Sequence, residues 1–316
     1  MGFFVYILAF LKNVIYGFTV FFTGNLTESA DVLDVLALRF LMSFVVLWVL
    51  KTLRVIKTEV CLKSFFVKNE KSKFLAPLLL AALFEPVIEL FFEALGISMT
   101  TDITAGVILS LMPITSCICE SLILKEKTTL MQKFFLALGV IGVIYIAVNT
   151  DTSTGENSIL GIMFLLLTVV SGALYLVFSR KSSEHFGAMD ITYVSVLFGM
   201  VAFNSVNVIR HLINGDILNY FAPYFNAQNM IGFVFLAVFA TIISAGMNNF
   251  ALRKMQASTM SAFSGVSTLV TIMVGVLLGG ETLKSFQIIG LTLIIARMIG
   301  VSWIAIKKDK EKCKEI

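Results

Sequence analysis

Long uninterrupted apolar stretches recur along the chain, and the short segments between them hold most of its charge. A helix needs roughly 20 apolar residues to cross the hydrocarbon of a bilayer. On that measure the pattern predicts helices near 3–23, 33–50, 74–95, 102–124 and 130–148, then near 159–179, 190–209, 230–250, 257–279 and 285–306. A membrane-spanning barrel would instead show roughly ten-residue segments of strict alternation, which these continuous runs do not. The expected fold class is all-α: a polytopic membrane protein with ten transmembrane helices.

Composition agrees. Of 316 residues, 58% are hydrophobic and 14% charged, against roughly 45–50% and about 25% in a soluble domain. Such a chain cannot cover itself with polar surface in water, so the lipid bilayer is its expected partner. The net charge of +4 does not point to nucleic acid, because Lys and Arg sit in the connections between apolar runs. Their distribution is one-sided. The 51–73 connection carries Lys51, Arg54, Lys57, Lys63, Lys68, Lys71 and Lys73. Lys125, Lys127, Lys133, Arg180, Lys181, Arg253, Lys254 and five lysines of the 307–316 tail fall on the same side, against Arg210 and Lys284 on the other. Positive residues stay inside, so both termini are expected in the cytoplasm, with the protein in the plasma (cell inner) membrane. The first apolar run lacks a short basic leader and a small-residue exit site, and is expected to remain as the first span.

A weak internal repeat appears when the chain is shifted by 155 residues. Tyr16-Gly17 then meets Ser171-Gly172, Glu93 meets Asn248, Pro113 meets Thr268, Glu126 meets Glu281 and Gln132 meets Gln287. The expected units are 1–150 and 156–306, five helices each, followed by the basic tail 307–316. An odd number of spans per copy turns the copies upside-down to one another, the inverted-repeat geometry of many secondary transporters.

The stretch Thr101–Ile146, TTDITAGVILSLMPITSCICESLILKEKTTLMQKFFLALGVIGVIYI, resembles the later part of an EamA domain of the drug/metabolite transporter superfamily. It has a span rich in small residues with a central proline, an acidic residue just beyond it, and a glycine-bearing span. Ser258–Ile304 repeats the plan with LLGGE in place of LILKE, though Thr268 stands where the first copy has Pro113. The resemblance covers nearly the whole chain. It implies ten helices with both ends cytoplasmic. It also implies metabolite or amino-acid export, drug efflux, or exchange of nucleotide sugars or sugar phosphates, without choosing among them.

Ionisable side chains inside spans cost ~2.5–3.5 kcal/mol each on insertion scales, and so mark functional candidates. Glu85, Glu89 and Glu93 in FEPVIELFFEALG step by four residues, which on a helix keeps them within roughly an 80° arc. Such a ladder suits proton coupling or a cationic, amine-bearing substrate; the competing reading is a set of fixed structural ion pairs, with Glu93 placed at the interface. Pro86 beside Glu85 frees a backbone carbonyl in the preceding turn. Lys12, with Asn13, and Arg39 are the candidate counter-charges, Arg39 reading equally as an anchor to the outer interface.

Pro113, Ser116 and Glu120 mark a weakened backbone and a second polar face in the fourth span; Glu120 gates the inner side or sits in the inner interface. Ser258, Ser261, Ser264, Thr268, Thr271 and Gly275 form one small, polar face of the ninth span, suited to tight packing or to lining a cavity. Asn248 and Asn249 are binders or helix-end hydrogen bonders. Tyr16 and Tyr175 stand beside a glycine in the first span of each copy. Arg297 reads as a packing residue. The cavity is expected between the first, third, fourth, sixth, eighth and ninth spans.

His185 and His211 are read as lying in loops on opposite sides, and no HExxH, GxSxG, Walker A or metal-ligand spacing is present. The four cysteines make no disulfide framework. The expectation is therefore a secondary transporter, an exporter of a small polar metabolite such as an amino acid or amine. It needs no cofactor and no metal, is not an enzyme, and works as a monomer or weak homodimer. The alternatives are a non-transporting receptor or assembly protein and an intramembrane enzyme.

Overall fold

The computed structural model describes residues 2–56, 75–125, 129–149, 158–255, 257, 260, 263–280 and 283–312. Cys61, Cys313, Glu126, Glu281, Ser258 and Ser261 lie outside them, as does most of the basic 51–73 connection.

Every regular element described is helical. In the first half these are α1 (Gly2–Gly17), α2 (Thr19–Ser29), α3 (Val32–Thr52), α4 (Leu75–Ala82), α5 (Glu89–Ile97), α6 (Asp102–Leu109), α7 (Met112–Ile123) and α8 (Leu130–Asn149). The second half follows with α9 (Ile159–Ser183), α10 (Ala188–Asn214), α11 (Ala227–Val234), α12 (Ser244–Leu252), α13 (Ser264–Leu277) and α14 (Ser285–Lys312). Several join end to end. Among the described residues, seven stretches are long and apolar enough to cross a membrane: Phe4–Ser29, Val32–Thr52, Leu75–Ile97, Asp102–Ile123, Ile159–Ser183, Ala188–Asn214 and Ala227–Leu252. Leu130–Ile146, Ser264–Leu277 and Ser285–Val301 are apolar but shorter.

Local chemistry sets the ends. The Asp31 carboxylate accepts from the Leu33 amide to start α3, and the Thr101 hydroxyl accepts from Thr104 to start α6. Gly215, at φ 71°, closes α10 in the left-handed conformation that only glycine adopts without cost. α10 thus runs five residues past the predicted end of its span, and His211, read from sequence as a loop residue, is buried within the helix. His211 is the residue of this last turn that packs inward, while Ile209, Leu212 and Ile213 beside it stay exposed.

The breaks are informative. α4 passes into α5 through a π-helical stretch, Leu83–Ile88, in which Glu85 leaves helical geometry (φ −127°, ψ 119°) just before Pro86. α11 passes into α12 through a second one, Phe235–Ile243. Under the 155-residue shift the first stretch falls within the second, α5 falls on α12 end for end, and the start of α8 falls on the start of α14.

Packing is reciprocal as well. α1 lies against α12 and α13, while α9 lies against α4, α5 and α7; α3 packs on α10, and α8 on α14. A Cβ on Gly17 would come 2.9 Å from the Ser267 carbonyl oxygen, and one on Gly172 would come 2.5 Å from Met112, the residue that the shift pairs with Ser267. Phe40 stacks on Phe203 and fills the space that Gly199 leaves beside Pro86, so the α3–α10 core reaches the first π stretch.

The α8–α14 contact depends on backbones in direct touch. A Cβ on Gly290 would meet Ile146 at 2.3 Å and the Gly142 carbonyl oxygen at 2.8 Å, and a backbone atom cannot swing away. Gly290→Val is therefore expected to force these helices apart at a cost of roughly 1–3 kcal/mol, read as a lower melting midpoint of the purified protein. An unchanged midpoint would show that the helices do not meet there.

Candidate substrate cavity

The irregular backbone surrounds one space. A cavity of about 80 Å³ is lined by α1, α3, the first π stretch, α5, the α6–α7 junction, α9, α10, the second π stretch, α12 and α13. It has room for several waters, by the measure in which one water needs roughly 10–15 Å³. Its wall is mixed. Phe40, Leu90, Leu109, Met112, Leu176 and Val196 give apolar surface, and Lys12, Arg39, Glu85 and Glu89 give charge.

The carboxylate ladder meets this space at Glu85 and Glu89. One turn on, Glu93 is buried rather than interfacial, and accepts a hydrogen bond from the Tyr16 hydroxyl at 2.8 Å. α1 faces the ladder: the Lys12 ammonium sits 4.6 Å from the centre of the Tyr16 ring, within electrostatic reach of all three glutamates. Glu89 gains its place from a missing side chain, since a Cβ on Gly172 would be 2.6 Å from its Oε1. Asn13 lines the cavity too, its amide donating to the Ala9 carbonyl.

Arg39 is held from the other half. Its Nε donates to the Thr241 hydroxyl at 2.9 Å, and that hydroxyl donates to the Leu236 carbonyl five residues back, the π-helical register. Ser43 ties α3 to the same stretch by reaching both the Arg39 and Ala237 carbonyl oxygens. Arg39 is therefore a fixed wall of the cavity and not an anchor to the interface.

On the α9–α12 side, Tyr175 and Asn248 line the space. Behind them Asn249 accepts from the Tyr175 and Ser179 hydroxyls and donates to Thr192. Ser264 joins the lining from α13 and Pro86 from the first π stretch. Ser116 and Thr268 do not: their hydroxyls turn back onto the Met112 and Ser264 carbonyl oxygens. Thr271 donates to the Gly17 carbonyl, so much of the ninth-span hydroxyl face is packing. Pro113 sits at the start of α7, just past the Ser110–Leu111 break in the fourth span. Arg297 is buried behind that break, packed on Gly139 and donating to the Ser110 carbonyl.

One element, α10, was missed from sequence, and α3 was anticipated only through Arg39. α3 contributes Arg39 and Phe40, and α10 contributes Thr192, Ser195 and Val196, although the second and seventh spans were expected outside the cavity. The pair Thr192 and Ser195, three residues apart, was the available signal, but a buried packing face has the same spacing.

Polar clusters close the bundle at its two ends. Near the ends of α7 and α9, Glu120 accepts from Arg180 at 2.7 Å and from the Ala257 amide at 3.0 Å. At the opposite end Asp34 joins α3 to α10, meeting Arg210 at 2.7 Å, His211 at 2.8 Å and Asn207 at 2.9 Å. Arg210 also meets Asp31, and His211 meets Asp216 through its other ring nitrogen. Among the described residues no group of three His, Cys, Asp or Glu is placed to hold a metal ion.

Apolar helices wrapped around an ionisable cavity are the architecture of a polytopic membrane transport protein. The EamA-like transporter family matches residues 3–148 and again 159–303. The chain belongs to that family, and is a multi-pass membrane transporter. It is 29% identical over 305 residues to the Uncharacterized transporter YcxC of Bacillus subtilis (strain 168), covering 96% of this chain and 95% of that one. It is 25% identical over 301 residues to the Uncharacterized inner membrane transporter YedA of Escherichia coli (strain K12), covering 93% and 89%. A protein of known crystal structure shares the fold, with a TM-score of 0.67 at 13% identity over 96% of this chain and 98% of the other.

The Glu120–Arg180 contact can be tested directly. Glu120 is almost wholly buried, and removing the charge that faces a buried carboxylate costs roughly 3 kcal/mol or more. Arg180→Gln is expected to lower the melting midpoint, and the double change Glu120→Gln with Arg180→Gln to recover much of the loss. Additive losses would show that the pair carries no coupling.

Proposed function

We propose that the chain is a secondary transporter that exports a small polar metabolite, an amino acid, amine or similar compound, by alternating access with proton or counter-substrate coupling through its intramembrane glutamates. The observation that carries this is the cavity itself, set within the bundle and faced by two of three carboxylates on one interrupted helix. A binding or assembly surface needs no such charge in the apolar interior, whereas a site that must hold and release a charged species does.

The ten-span reading is supported by the three shorter apolar helices beside the seven long ones. The two-copy reading is supported by the double family match, the coinciding breaks and the reciprocal packing. Copies of five spans each are inverted with respect to one another. Rocking one against the other opens the site to either face in turn, with the Glu120–Arg180 and Asp34–Arg210–His211 clusters as the contacts that break. The lysine-rich connections assign both termini, and the Glu120 end, to the cytoplasm.

Reconstituted into liposomes, the protein is expected to move substrate in response to an imposed pH gradient, reported by tracer and by a pH-sensitive dye. Glu85→Gln is expected to abolish the proton-coupled component while leaving the melting profile and chromatographic behaviour intact. Undiminished flux across pH in Glu85→Gln would make the ladder structural and remove the coupling assignment.

A further inference from the structure

Buried polar groups are almost always hydrogen-bonded, and each exception calls for an explanation. Among the described residues, half of the buried side-chain atoms without a partner belong to residues that line the cavity: Glu89 Oε2, Ser195 Oγ, Asn248 Oδ1 and Ser264 Oγ. The Asn248 oxygen can only accept, the Glu89 oxygen does so when the carboxyl is ionised, and two are hydroxyls that can accept or donate.

The orientation of Asn248 follows from the chain of donors behind it. Asn249 uses its amide nitrogen on Thr192 at 2.9 Å, which leaves its oxygen to accept from Tyr175 at 2.9 Å and Ser179 at 2.8 Å. Tyr175 has thus committed its proton, and receives the Asn248 amide nitrogen at 3.3 Å. The amide oxygen of Asn248 is left over, held in place with nothing to accept from. Glu89 supplies the matching acceptor from the third span of the first half.

Charge points the same way. Three glutamates face Lys12 and Arg39, so the fully ionised set has one negative charge in excess. An anion would add to that excess. A cation without N–H groups would cancel the charge and leave both acceptors unsatisfied.

We propose that the ligand of this cavity is a protonated amine that carries N–H donors, seated between Glu89 and Asn248, and that fully N-alkylated cations are rejected. This rests on reading the cavity as the transport site. It names the chemical group recognised there and the atoms that select it.

Butylammonium and tetramethylammonium separate the possibilities, being isomeric cations of equal charge that differ in whether nitrogen bears hydrogen. Binding to the purified full-length protein is measured by thermal shift and by calorimetry. Butylammonium is expected to bind at least tenfold more tightly, the effect of satisfying one buried acceptor. That preference is expected to fall about tenfold in Asn248→Leu, Glu89 keeping any remainder, and to persist in Asn248→Asp, which keeps the acceptor and serves if the leucine variant does not fold. Equal binding of the two cations, or loss of the preference in Asn248→Asp, would overturn the proposal. Failure of both cations to bind would also overturn it, and would leave water as the partner of these oxygens. Flux driven by a pH gradient in the unaltered protein is scored separately, so the transport reading can survive a failure of the ammonium assignment.

Discussion

Charge enclosed by apolar helices must be compensated where it lies, because neither lipid nor distant solvent can do so. Three glutamates on one helix would each cost ~2.5–3.5 kcal/mol to insert alone, and the surrounding bundle is arranged around that cost. α1 brings Lys12 and Tyr16, α3 brings Arg39, and α9 gives up a side chain at Gly172 so that the Glu89 carboxyl fits. Arg39 is in turn fixed by Thr241 from the second half. The two halves therefore meet across a charged set that the first half supplies and that Thr241 and Gly172 of the second half help to hold in place.

The same constraint explains where the helices break. Backbone polar groups freed from helical hydrogen bonding are tolerated at membrane depth only where protein or a cavity takes them up. Both π stretches and the Ser110–Leu111 break border the cavity. These distortions let Glu85 and Thr241 approach one space from different halves, as straight helices at the same positions could not. A break that serves only packing has no reason to recur at the same register in both halves.

Much of this was legible in the sequence, for physical reasons that also set its limits. Apolar runs near membrane length are a first-order energetic requirement, so the existence and order of the helices could be read directly. The glutamate ladder was visible because charge in such runs is rare. Pairing was less legible. Glu93 read as interfacial because depth along a helix does not reveal that a tyrosine from α1 covers it. The hydroxyls of α10 escaped notice because serine and threonine cost little inside a bundle, and so carry little signal. Asp34, Arg210 and His211 lie far apart along the chain or near its polar connections; only the antiparallel contact of α3 with α10 makes them one cluster. The second π stretch contains neither proline nor charge, and nothing in FLAVFATII distinguishes it from an ordinary apolar turn.

The coinciding positions of the two halves also bear on how a framework of this kind can hold a charged site at all. Under the 155-residue shift Glu85, Glu89 and Glu93 fall on Ala240, Ser244 and Asn248. Three further carboxylates at those positions would face the same two cations, and the excess negative charge would rise from one to four. Instead the second half places small and uncharged groups there, and Ser244 and Asn248 line the same cavity as Glu85 and Glu89. A π stretch stands in each half because the cavity needs irregular helices on each side, while charge is kept in one because the interior can compensate only one such set. The division of labour follows: one half supplies the charge that holds a ligand or a proton, and the other supplies hydrogen-bonding groups that shape the site without adding to its electrostatic cost.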